Sequence, residues 1–282
     1  MSPRIRRLSF ADTIRKRSVE ISTIFFFTAF VGSVFVLLYH KLTRRKPVFN
    51  SKPDKVILHF KTLGSPELSP FRLKLETYLK LCQIPYELSH IRQLSSKGKL
   101  PWIEHNGVVV EDTQFCIDYL NNSFNVDLNE KLSPYERSLS RAFQVMIEEN
   151  TTWCLLLSRW KYERKPKFFQ ALKVNVVFTY LITKSLMRKS SGHGIGLHTW
   201  EEIKSIAKKD LTALSDFLGE KKYLFGNFMT LADCSAFGLL VQICYNHTDS
   251  YLHQLVNDSF PNLKDYCDRI RNEYYPDMVL LS

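Results

Sequence analysis

LPWIEHNGVVVEDT, residues 100–113, decides the fold. Asn106-Gly107 between two short apolar runs is a type I′ turn signal, because both turn positions need positive φ. The spacing therefore predicts a hairpin of residues 100–105 and 108–110. The acid and hydroxyl of Asp112-Thr113 then open a predicted helix over 113–120. Upstream, VILHF (56–60) is a short run with β-branched residues and reads as a buried strand. After a loop with Gly64, Pro66 and Pro70, Phe71, Leu75, Tyr78 and Leu79 recur at helical spacing up to Leu81. Pro85 stops that helix and YELSHI (86–91) forms a second strand. The unit over 56–122 has the order βαβ, then ββα.

Downstream, over 130–278, every periodic segment is helical. Ser133-Pro134-Tyr135-Glu136 is a capping box with proline at the first helical position. Thr199-Trp200-Glu201-Glu202 opens a helix to Leu218 that stops at Gly219, and Thr230-Leu231-Ala232-Asp233 opens another. The apolar segment 174–187 has a length that suits a buried core helix or an interfacial one better than a membrane span.

The chain has 282 residues and a net charge of +11, but the excess is local. Residues 1–20 carry +4 and residues 40–55 carry +5, which leaves +2 for residues 56–282. A body so nearly neutral argues against nucleic acid as a partner. Between the basic flanks lies ISTIFFFTAFVGSVFVLLY (21–39), 19 residues without a charge. At about 1.5 Å per residue these span roughly 28 Å, the thickness of a bilayer core. A signal-peptide core is shorter and ends in a cleavage site, whereas HKLTRRKP follows here, so a retained transmembrane helix is expected. Membrane lipid is its partner, and residues 40–55, with Pro47 and Pro53, are a basic linker. Equal Lys/Arg counts on the two flanks leave orientation open by the positive-inside rule. N-x-S/T triplets at Asn121, Asn150, Asn246 and Asn257 would permit a lumenal domain. The six cysteines lie scattered in apolar context, which favours a reducing cytosol. The expected location is therefore an intracellular membrane with the domain in the cytosol.

Ser69-Pro70-Phe71-Arg72, Leu100-Pro101, Asp112-Thr113 and Leu224-Phe225-Gly226-Asn227 with Thr230-Leu231-Ala232-Asp233 occur in an order that resembles the glutathione-transferase superfamily. The implied fold is an α/β thioredoxin-like N-terminal half plus an all-α C-terminal half, here preceded by one transmembrane helix. Lys74 to Leu79, Gly192-His193-Gly194-Ile195-Gly196 and Phe260-Pro261-Asn262-Leu263 resemble the failed-axon-connections and cadmium-responsive family more closely, with metaxins as distant relatives. The resemblance covers about residues 55–278.

It implies glutathione as substrate or ligand, with Ser69 at its sulfur. Pro101, as a cis proline, would have the backbone of its neighbour Trp102 at the cysteinyl part, and Asp112 and Thr113 would take the γ-glutamyl end. Each position also has a purely structural reading: Ser69 and Asp112 as helix caps, Pro101 as a strand-edge proline. Family members often carry cysteine where Arg72 stands. With no Cys-x-x-Cys, and only His193 and His198 flanking Gly-Ile-Gly, no metal site is expected. Two functions follow from the resemblance. One is a membrane-tethered binding or adaptor protein, linked to cadmium or stress response or to axon development and partnered by a second copy or another protein. The other is an active transferase that conjugates glutathione to an apolar electrophile.

Overall fold

The computed structural model describes residues 54–60, 68–90, 94–172 and 175–281. The transmembrane helix expected over 21–39 and its two basic flanks, apart from residues 54 and 55, lie outside the described residues. Among the described residues no helix is long and apolar enough to cross a membrane.

Residues 51–282 make one compact unit. Its sheet comprises β1 (Val56–Phe60), β2 (Tyr86–His90), β3 (Trp102–His105) and β4 (Val108–Glu111), in the order β2-β1-β3-β4. β1 runs parallel to β2 because α1 (Pro70–Leu81) carries the chain back across the sheet. β3 and β4 are the predicted hairpin, with Asn106 at φ 47° and Gly107 at φ 79°. Leu58 pairs with Leu88 on one side and Ile103 on the other. Val56, Leu58 and Ile103 meet Leu75, Tyr78 and Leu79 of α1 and Cys116, Ile117 and Leu120 of α2 (Thr113–Phe124) in one core. α2 runs one turn beyond the predicted end at Leu120. It stops where Asn125 adopts a left-handed conformation and its N–H returns to Asn121 O.

The second half begins with α3 (Pro134–Val145), closed by the Ser133–Glu136 capping box. The helix then continues through a widened π turn (Met146–Thr151), α4 (Thr152–Leu157) and a second π turn (Ser158–Tyr162). α5 (Pro166–Ala171), α6 (Val176–His193) and α7 (Trp200–Leu218) follow. The segment expected over 174–187 is not a buried core helix: α6 has a single buried residue, Ser190.

α8 (Leu231–Cys244) is buried along its whole length, and α9 (Tyr251–Ser259) and α10 (Pro261–Tyr274) pack around it. Asp233 fixes its start. The buried carboxylate accepts the N–H groups of Leu224 and Thr230 and the hydroxyls of Thr230 and Tyr266. Burial nevertheless raises its pKa, against those four bonds.

α8 lies directly against α1. A Cβ added to Gly238 would sit 2.4 Å from Pro70 O, so glycine is what allows this approach. Gly238→Ala should therefore cost about 1–3 kcal/mol through overpacking. Urea unfolding reads the loss, and an unchanged midpoint would mean that the helices have room to separate.

Candidate functional site

The start of α1 and the β3–β4 hairpin supply one wall of a cleft. Ser69 has extended backbone, and its Oγ accepts the Arg72 N–H at 3.3 Å, capping α1 with Pro70 in the first turn. The Arg72 side chain turns away along α1, 2.5 Å from Glu76 and stacked over the Phe60 ring. Arg72 is thus a buried strut between α1 and β1. The Leu100–Pro101 bond is cis.

Asp112 stands at the β4–α2 junction with φ 77° and ψ 130°, an unfavourable backbone state for a non-glycine residue. Such states persist where the surroundings over-determine them, and functional sites are enriched in them. The Asp112 side chain caps α2 by accepting the Gln114 N–H, and its other oxygen lies 3.6 Å from Lys99 Nζ.

The opposing wall comes from the first π turn and α4. π widening rotates the residues that follow relative to a regular helix, and such turns gather at functional sites. This one carries Glu148 and Glu149. Glu148 accepts from buried Lys74 at 2.6 Å and from Ser235 of α8 at 2.6 Å.

Between the walls is a cleft of about 310 Å³. Phe71, Lys99, Leu100, Pro101, Asp112 and Thr113 line it from the first half. Glu148, Glu149, Thr152, Trp153 and Leu156 line it from the second, and α6 adds Leu186 and Lys189. Charged groups of both signs cluster around the hairpin end, and an apolar wall of Trp153, Leu156 and Leu186 stands across from them. That arrangement suits an extended zwitterionic peptide with an apolar group beside it.

Of the residues expected from the sequence, Pro101, Asp112 and Thr113 come together here. The Trp102 backbone follows Pro101 directly into β3, and its side chain turns away from the cleft. It is 3% exposed and stacks on His59 at 3.8 Å, where Glu104 is also buried. Burial there holds the His59 imidazole below its ordinary pKa, outweighing the pull of Glu104. Ser69 lies at the α1 cap, two residues before Phe71. Lys99, the Glu148–Glu149 pair, Trp153 and Lys189 were not anticipated. The available signal was the acidic pair itself, at the head of a polar run (148–152) that leads into Trp153–Leu157.

His193 packs against Trp153, whereas His198 faces Glu202 at 3.6 Å. Among the described residues no group of three metal-ligating side chains converges. All six cysteines are free, and burial pushes the Cys116 and Cys154 thiols up to about 12, away from the thiolate form.

A thioredoxin-like sheet with a cis proline entering β3, an all-helical second half and a cleft between them define a glutathione-transferase-like architecture. The comparisons agree. The glutathione S-transferase N-terminal domain family matches residues 70–165, and the C-terminal domain family matches residues 207–270. Failed axon connections of Drosophila melanogaster is 33% identical over 75% of this chain, which spans only 56% of that protein's length. Isoprene-epoxide–glutathione S-transferase of a Rhodococcus species is 30% identical over 75% of this chain and 94% of its own. A glutathione S-transferase from Methylobacterium radiotolerans, solved in complex with glutathione sulfonate, superposes with a TM-score of 0.56. It is 16% identical, over 80% of this chain and 94% of its own, and so supports the fold alone. The chain belongs to the glutathione-transferase-like family that includes Failed axon connections.

Glu148 ties the cleft wall to the core, which makes its substitution diagnostic. Glu148→Ala leaves Lys74 charged, 1% exposed and without its carboxylate, at an expected cost of about 3–5 kcal/mol. Glu149→Ala, at an exposed position, should stay within roughly 0.5 kcal/mol. Equal effects in chemical denaturation would contradict this reading of the wall.

Proposed function

We propose that this chain is a membrane-tethered, glutathione-transferase-like binding protein whose cleft takes glutathione as a ligand, and that it acts as an adaptor without robust turnover. The observation that carries the ligand is the convergence of Pro101, Asp112 and Thr113 on one cleft, with Lys99 beside the Asp112 carboxylate. The γ-glutamyl end of glutathione carries an ammonium and a carboxylate, which Asp112 and the Thr113 hydroxyl with Lys99 would receive. The backbone beside Pro101 would meet the cysteinyl unit.

Weak catalysis is inferred at the other end. Ser69 Oγ is engaged in the α1 cap, and α1 presents Phe71 to the cleft.

The tether rests on the uninterrupted apolar residues 21–39 between basic flanks. A cytosolic domain fits the six free cysteines and three of the four N-x-S/T triplets. Asn246 is 3% exposed, Asn150 donates its amide to Asp210, and Asn121 accepts the Tyr78 hydroxyl. Asn257 alone of the four is exposed. The settings that the family resemblance implies are the response to cadmium and other stress, or axon development, with a second copy or another protein as partner.

A second reading has its own support. The Rhodococcus relative is named a glutathione transferase and is matched along nearly its whole length. In that reading the Ser69 hydroxyl donates to the glutathione sulfur and holds it as the more nucleophilic thiolate. Trp153, Leu156 and Leu186 then receive the electrophile.

Calorimetric titration of the full chain in lipid nanodiscs with glutathione tests the ligand, and a conjugation assay with an epoxide tests turnover. The expected result is saturable binding lost in Asp112→Ala with Thr113→Ala, without saturable conjugation. Saturable conjugation abolished by Ser69→Ala would establish the transferase instead. No heat and no rise in melting temperature at several millimolar glutathione would overturn both.

A further inference from the structure

α6 is built with two unlike faces. Ile182, Leu186 and Met187 pack onto the Trp160–Phe168–Leu172 cluster. The first two turns of the helix leave Val176, Val177, Phe178, Tyr180 and Leu181 between 52% and 84% exposed, with Val177 and Leu181 on the side away from that cluster. An apolar patch of this kind at the start of a helix marks an interaction surface. The same exposed side continues through Lys184 and Arg188, which follow Val177 and Leu181 at helical spacing.

The charge around the patch is one-sided. Residues 164–200 hold seven Lys or Arg and no Asp or Glu, although the body from residue 56 onward is nearly neutral. Between α5 and α6 a groove of about 560 Å³ places Arg164 near Tyr180 and Thr183, with Phe169 and Val176 also in its lining. A guanidinium over an aromatic floor matches a phosphate group with acyl carbons beneath it.

We infer that the exposed face of α6, with Arg164 of the adjoining loop, lies on an anionic phospholipid bilayer, the apolar residues at the headgroup–acyl boundary and the bases on the phosphates. Interfacial helices have this division between apolar and basic surface. Bases near an anionic leaflet add to its binding. The charge selects lipid over a second copy of the chain. A two-fold contact through this face would set the same basic surface against itself.

The inference does not depend on the span at residues 21–39, and the test separates the two. The full chain, carrying Cys82→Ser and an environment-sensitive probe at Val177→Cys, is mixed with vesicles of phosphatidylcholine alone or with added phosphatidylserine. A second chain carries the probe at Tyr135→Cys, an exposed position on α3. Co-flotation reads attachment, and quenching by a lipid-borne nitroxide reads the face.

The expected result is Val177 quenching several times that of Tyr135 in phosphatidylserine vesicles only. That excess should be lost in Lys184→Glu with Arg188→Glu at unchanged melting temperature. A chain that floats with both vesicles while Val177 is quenched no more than Tyr135 keeps the tether and overturns the docked face. Equal Val177 quenching with and without phosphatidylserine overturns anionic recognition. Failure to float with either vesicle overturns the inference outright, as does a dimer that shields Val177 from the quencher.

Discussion

Lys74 holds the molecule's two halves in register. Its ammonium is 1% exposed and lies 2.6 Å from Glu148, with Gln114 of α2 as a further acceptor. Glu148 in turn takes the Ser235 hydroxyl of α8. One buried cation therefore ties α1, α2, the first π turn and α8 together. Such a pair contributes little net stability over a well-packed apolar substitute, but breaking it strands a charge. Its value here is positional. The partner of the buried lysine is itself a wall of the cleft, so the α1 side and the π-turn side cannot slide apart independently. Gly238 completes the constraint by letting α8 close on the Pro70 carbonyl.

This arrangement explains why the site is assembled from distant pieces. The hairpin brings Pro101 and the strained Asp112 to one end of α1, and the π turn aims two carboxylates across from them. α6 adds Leu186 and Lys189 to the same cleft while its other side stays in the open.

The local features were legible in the sequence because each is written in adjacent residues. Asn106-Gly107 specifies its turn, the Ser133 and Thr199 boxes form with both reciprocal bonds, and at Thr230 the Asp233 carboxylate takes the N–H and the hydroxyl. Pro101, Asp112 and Thr113 stand at the hairpin and helix junctions that bound the cleft. What stayed hidden depends on phase and on tertiary neighbours. Ile103 points into the core, so the period of two sends Trp102 to the other face, against His59. The extra residue per turn at Met146–Thr151 leaves no mark in an apolar–polar pattern, and so Glu148 and Glu149 were missed. For α6 the sequence leaves a buried core helix and an interfacial one both open, since an apolar stretch looks the same whether it meets a core or a surface.

The central claim is that this cleft holds glutathione along the Pro101 edge with its γ-glutamyl end at Asp112 and Thr113. A crystal structure of the chain grown with glutathione sulfonate tests it most directly. The expected result is the tripeptide extended in the cleft, its ammonium at the Asp112 carboxylate and its sulfonate toward the start of α1. An empty cleft at saturating ligand, or a ligand bound elsewhere on the chain, would contradict it.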